Sequence, residues 1–281
     1  MSWVLDKRYD FQGQAVRYSV QGDGPPLVFV HGTPFSSYVW RRIVPYFCAT
    51  HTVYCYDLLG YGQSEQRGGQ DVSLGIQNLL FAQLLDHWGI ERPDVVAHDF
   101  GGATALRTHL LGGKDFRSLT LIDPVALSPW GSPLVRHVRR HEAAFSGLPD
   151  YVHEAIVPAY IRGATKRSLP DEELDPYVRP WLGDRGKAAF YRQIAQMDER
   201  YTDEVAPLYP TIRCPVSIIW GADDLWIPVE DGRRLRQAIP HSVLHVVGDA
   251  GHLVQEDAPE AIVAVLLGFL NEPAQAMAAA E

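Results

Sequence analysis

The chain has 281 residues, 46% of them apolar and 21% charged, with a formal net charge of −9 at pH 7. That length fits one large α/β domain with an insertion, or two units, around a core that needs no staples; the acid excess argues against a sequence-independent nucleic-acid binder, which must neutralise phosphates. Cys48, Cys55 and Cys214, without a C-x-x-C pair, exclude a disulfide framework or zinc knuckle and fit a reducing compartment.

Met1 to Arg8 lack the apolar run of a secretory signal. Tyr9–Phe11 and Ala15–Val20 then predict an antiparallel start. Short β-branched runs follow at Leu27–Val30, Val53–Tyr56, Val95–Ala97 and Leu119–Ile122, alternating with longer amphipathic stretches. In the clearest helix, Ser73–His87, Leu80, Leu84 and Trp88 recur at four-residue spacing beside Phe81 and Leu85. A second helix is expected at Ala103–Leu111.

Between Val125 and Tyr209 no strand is expected, only helical patterns broken by Gly and Pro, as in Ser128–Pro133 and Ser168–Pro170. Alternation resumes with a strand at Val216–Trp220, a helix at Asp231–Ala238, a strand at Val243–Val247 and a helix at Pro259–Leu270. That last apolar run, Ala261–Leu270, is about half of what a membrane span requires, and Asn271–Glu281 is expected to fray. The rhythm predicts a mostly parallel eight-stranded sheet with helices on both faces. A helical insertion at 125–209 is expected to divide the core into 1–124 and 210–281. A cytoplasmic protein, monomer or homodimer, with no membrane or nucleic-acid partner, is expected.

The strongest constellation lies at 94–102, where an apolar strand runs into Ala97, His98, Asp99, Phe100, Gly101 and Gly102, and a helix follows. Small residues around Asp99 suit a tight strand-to-helix turn that pushes the central side chain out. Taken alone, an Asp N-cap with ordinary Gly packing would explain it equally well. Three other turns stand with it. His31-Gly32-Thr33-Pro34 ends a buried strand and can aim a backbone N–H. Gly221 to Pro228 places Asp223 and Asp224 just past another strand, and Asp249 to His252 follows the final one. The order Asp99, Asp224, His252 is nucleophile, acid, histidine.

With these motifs, and with Asp57 to Ser64 in the pattern D-x-x-G-x-G-x-S, the chain resembles the α/β-hydrolase fold family over about residues 10–270. The resemblance implies a substrate cavity between cap and core at the C-terminal ends of the strands. Its pattern G-x-x-D-x-x-x-P selects Asp224 over Asp223 as the acid; Asp123, after the preceding strand, stands where some dehalogenases keep theirs.

Most members carry Ser at the elbow. A carboxylate there is already ionised and needs no base to activate it. Its attack on a saturated carbon gives an ester that water can hydrolyse, with His252 as base and the N–H groups of Thr33 and Phe100 as the oxyanion hole. A small apolar substrate with an epoxide or a carbon–halogen bond is therefore expected, and no cofactor or metal. The chain is similar to the Asp-nucleophile members: epoxide hydrolases, haloalkane dehalogenases and fluoroacetate dehalogenases. Phe100 stands where haloalkane dehalogenases hold halide with Trp, and Thr33 replaces their Asn. Phe100 and Ala103 stand where fluoroacetate dehalogenases carry Arg. Epoxide hydrolysis to a vicinal diol is thus the first expectation and dehalogenation the alternative.

Epoxide hydrolases protonate the ring oxygen with cap tyrosines; Tyr191 is the expected donor, with Tyr151 and Tyr160 as candidates for a second. Packing within the cap is the plainer alternative for each. His31 and Trp226 are candidates for the pocket wall, with core packing as their alternative. His137 and His141 have metal-like i,i+4 spacing but lack the Glu of H-E-x-x-H. A non-catalytic small-molecule-binding protein on the same scaffold is the expectation of another class.

Overall fold

The computed structural model describes residues 3–278. Its centre is one sheet of eight strands: β1 (Lys7–Phe11), β2 (Gln14–Gln21), β3 (Pro26–Val30), β4 (Thr52–Tyr56), β5 (Asp94–His98), β6 (Ser118–Ile122), β7 (Val216–Gly221) and β8 (Val243–Val247). The spatial order is β1-β2-β4-β3-β5-β6-β7-β8. β1 and β2 form an antiparallel hairpin whose turn, Gln12-Gly13, takes positive φ at both residues, the geometry that matches strand twist in a two-residue turn. From β4 to β8 the sheet is parallel. Every residue of β5, β6 and β7 is buried, which is why these segments read as unbroken apolar runs rather than alternating ones.

Each expected strand is present. α1 (Leu74–Trp88) and α2 (Phe100–Leu110) match the expected helices closely, except that α2 begins three residues earlier. The first turn of α2 contains Gly101 and Gly102, weak helix formers held there by their packing. Between β6 and β7 lie α3 (Pro133–Arg140), α4 (Glu142–Ser146), α5 (Asp150–Arg162), α6 (Asp171–Val178), α7 (Gly183–Ala195) and α8 (Arg200–Asp203), with no strand among the described residues. After β7 come α9 (Val229–Ala238), α10 (Val254–Asp257) and α11 (Pro259–Ala278). α11 continues to Ala278, where fraying after Leu270 was the expectation; residues 279–281 lie outside the described residues. No helix among the described residues is long and apolar enough to cross a membrane.

β3 has β4 on one side and β5 on the other, so the chain changes winding direction there. In a parallel sheet that leaves a crevice at the C-terminal ends of the strands. The turns after β3, β5, β6, β7 and β8 carry Thr33, Asp99, Asp123, Asp224 and His252, all along this one rim. The inserted helices lie over it and are tied down by named bonds. Trp181 Nε1 donates to Pro34 O at 2.7 Å. Gln193 Oε1 accepts from Thr33 Oγ1 at 2.6 Å and from Tyr61 OH at 3.1 Å. Gln196 accepts from Val72 N at 2.7 Å and donates to Gln70 O at 2.9 Å. The buried Glu256 carboxylate meets Arg41 and Arg42 of the core and Arg167 and Tyr177 of the insertion.

Candidate active site

Asp99 joins β5 to α2 with φ +52, a conformation that few non-glycine residues adopt. Its neighbours explain how the turn closes. A Cβ on Gly101 would lie 2.4 Å from Val30 O and 2.6 Å from His31 O, and a Cβ on Gly32 would lie 2.4 Å from Asp99 Cβ. The elbow can therefore sit against β3 only with glycine at both positions. Gly101→Ala is expected to displace the elbow and destabilise the fold by about 1–3 kcal/mol, read as a lowered Tm together with lost activity; an unchanged Tm would contradict this packing.

Asp99 Oδ1 accepts the backbone N–H of Thr33 at 2.7 Å. Phe100 is the first residue of α2, where N–H groups have no acceptor within the helix. The other oxygen, Oδ2, lies 3.3 Å from His252 Nε2. His252 Nδ1 donates to Asp224 Oδ2 at 2.8 Å, and Asp224 Oδ1 accepts N–H bonds from Trp226 at 2.7 Å and Ile227 at 2.9 Å. The acid is thus held from three sides. Burial alone would push the His252 imidazole down. The Asp224 charge and hydrogen bond, and then those of Asp99, outweigh it and hold His252 well above its usual value. His98, beneath it, donates from Nε2 to His252 O at 3.0 Å; burial, then the nearby His252 charge, push it down to about 3, so it is neutral.

The structure brings together Asp99, Asp224, His252, Thr33, Phe100, Tyr160 and Trp226. Asp223 is turned outward and pairs with Lys166 at 3.3 Å. Asp123 lies beside Asp224 with Oδ1 on Gly221 N at 2.9 Å. Tyr160 and Trp226 stack at 4.4 Å, and Trp226 leans on His252 at 5.0 Å. Burial, reinforced by the Asp99 charge, raises the Tyr160 phenol. The free space beside Asp99 is about 30 Å³, and Val125, Trp130, Val135 and Met197 complete its apolar wall. Sequence reasoning missed these four; Trp130, inside a Gly/Pro-broken loop, carried the one local hint.

Three expected positions fall elsewhere. Tyr191 is buried but does not line the cavity: its OH donates to His153 Nδ1 at 3.0 Å, since His153 Nε2–H is given to Trp181 O at 2.8 Å. Burial pushes its phenol up to about 12. The cause is helical phase. Gln193, two residues on and about 200° around α7, faces Thr33, so Tyr191 faces away toward α5. Tyr151 is 75% exposed; it stands nine residues before Tyr160 on α5, about half a turn out of phase. His31 is buried behind the rim and is not part of the wall: its Nε2 accepts from Leu58 N at 2.8 Å and its Nδ1 donates to Gly32 O at 2.8 Å, pinning the loop.

This fold, with an elbow residue, a carboxylate and a histidine in that order on one sheet rim, defines a class of protein. The chain belongs to the alpha/beta hydrolase fold family, whose pattern matches residues 25–259. Among solved structures it is similar to an alpha/beta hydrolase fold protein from Burkholderia ambifaria, at 54% identity, with a TM-score of 0.91 over 95% of this chain and 98% of that one. It is also similar to an uncharacterized hydrolase of Bacillus subtilis (28% identical, 94% of this chain and 97% of the relative). A third relative is a cis-3-alkyl-4-alkyloxetan-2-one decarboxylase of Shewanella oneidensis (25% identical, 92% and 86%).

Proposed function

We propose that this hydrolase of the α/β-hydrolase superfamily opens an epoxide through an alkyl ester on Asp99 and releases a vicinal diol. With Oδ1 already held by Thr33 N–H, Oδ2 is the free nucleophile; it attacks a ring carbon, the C–O bond breaks, and the oxygen takes a proton. Water then adds to the ester carbonyl. His252 accepts its proton, and the oxyanion forms on Oδ1 between the N–H groups of Thr33 and Phe100. In the ester, Asp99 has lost its charge, so one of the two groups that hold His252 protonated is gone, and the imidazole is freer to act as base.

The observation that carries the choice of leaving group is the hydrogen-bonding inventory of the wall. Tyr160 offers a phenol on the Asp99 side, whereas Phe100 has no side-chain N–H, Trp130 Nε1 is given to Thr202 Oγ1 at 2.9 Å, and Trp226 leaves the wall a single indole N–H. That favours an oxygen needing a proton over a halide needing two N–H donors. Assays of epoxides, haloalkanes, haloacids and esters, with diol and halide measured, test the proposal. Epoxides should be converted. Tyr160→Phe should lower kcat by about a hundredfold with KM little changed, while Tyr191→Phe stays near wild type. Halide release without diol formation would overturn it. The Shewanella relative favours one second reading, since an oxetan-2-one is also a strained oxygen ring. Carbon dioxide release from such a compound, added to the panel, would favour that chemistry instead.

A further inference from the structure

One buried carboxyl at the rim has no role in the steps above. Asp123 ends β6 with φ +40, a conformation costly for a non-glycine residue, and its side chain is fully buried. Oδ1 takes the Gly221 N–H, while Oδ2 is buried and receives no hydrogen bond. Asp123, Asp224 and His252 each offer an atom within 4.8 Å of the others. The charged groups acting on it are Asp224, from the turn after β7, and His252, from the loop after β8. His98, from β5, is neutral. Among the described residues, no Lys or Arg is hydrogen-bonded or ion-paired to Asp123.

An ionised Asp123 would put a second negative charge beside Asp224 and leave one buried oxygen with no protein donor, a costly combination. Two carboxyl groups sharing one buried site keep a proton between them. The shared proton belongs on Asp123, because two backbone N–H groups and the imidazole N–H already point at Asp224, whereas Asp123 has a single N–H. Burial, then the Asp224 charge, push Asp123 well above the usual carboxylate range, in keeping with this division.

We propose that Asp123 is a neutral carboxylic acid in the resting enzyme, donating its Oδ2 proton to Asp224, and that it acts as a positioning residue for the Asp224–His252 pair. The chain of contacts is then Asp123 O–H to Asp224, Asp224 to His252 Nδ1, and His252 Nε2 to Asp99. The same placement makes Asp123 a reserve: with Asp224 neutralised, Asp123 can give up its proton and serve His252 as a carboxylate. This rests on the assignment of His252 as the base under the proposed function, and the experiment has one arm independent of that assignment.

That arm is infrared difference spectroscopy at neutral pH between wild type and Asp123→Asn. A carbonyl band of a protonated, deuterium-sensitive carboxyl should be present in wild type and absent in the variant. Its absence from wild type would overturn the proposal whatever the enzyme's substrate. The kinetic arm uses rescue. Asp123→Asn keeps an N–H donor for Asp224 and tolerates positive φ. It should retain kcat within about threefold of wild type and leave the acid limb of the pH profile in place, where Asp123→Leu loses about tenfold or more. A downward shift of that limb in Asp123→Asn would mean that a negative charge had been removed, and would overturn the neutral acid. Should Asp123→Leu fail to fold, Asp224→Asn replaces it. That variant should keep about tenfold more activity than the Asp123→Asn/Asp224→Asn double variant. Equal activity of the two would refute the reserve role.

Discussion

Asp99→Ala is expected to abolish turnover while leaving a folded protein. Among the described residues Asp99 is the one carboxylate in the cavity wall, with Oδ1 on Thr33 N–H and Oδ2 3.3 Å from His252 Nε2. A methyl group in its place cannot form the ester, so kcat should fall below about a hundredth of wild type, a loss of more than ~2.7 kcal/mol of transition-state stabilisation. The structural cost is confined to holding alanine at φ +52, about 1–2 kcal/mol. Circular dichroism and a thermal melt check the fold, and an assay on a confirmed substrate checks the rate. Residual activity above that level would remove Asp99 as the nucleophile.

His252→Gln should separate the two half-reactions. Asp99 needs no base for its attack, so the variant should still form the ester, but water is a poor nucleophile near neutral pH without a proton acceptor. Intact-protein mass spectrometry after substrate addition should then show a lasting adduct that maps to Asp99. From an epoxide the adduct carries the full substrate mass, because ring opening loses no atom; from a haloalkane it lacks hydrogen halide. One spectrum thus reports nucleophile, base and leaving group. If a substrate of the wild type leaves no adduct on this variant, the two-step covalent mechanism fails.

Much of this was legible in the sequence because it depends on local order. The β-branched runs at Val95–Ala97, Leu119–Ile122 and Val216–Trp220 have to be strands buried on both faces. The turns after them carry Asp99, Asp123 and Asp224 to one rim by topology alone. Asp224 could be separated from Asp223 because the resemblance to the family's G-x-x-D-x-x-x-P pattern, counted from Gly221 to Pro228, selects it. The choice of tyrosine was not legible. Tyr191, Tyr160 and Tyr151 sit on helices whose rotation is set by packing against the core. Gln193, which sets the phase of α7 through Thr33 and Tyr61, bears no mark in the sequence. The proton on Asp123 was equally hidden, since it follows from the company the carboxyl keeps across β7 and the loop to His252.

The cavity beside Asp99 has about 30 Å³ of free space and, among the described residues, no Lys or Arg in its wall. This constrains what can pass through it on each turnover. Dehalogenation exports an anion and a proton every cycle, and a wall without a cation offers the departing halide no electrostatic help. Epoxide hydration takes in two neutral molecules and releases one. Ring opening consumes a proton, ester hydrolysis returns one to His252, and the sum over the cycle is zero. A wall this poor in positive charge suits a reaction in which no ion has to leave.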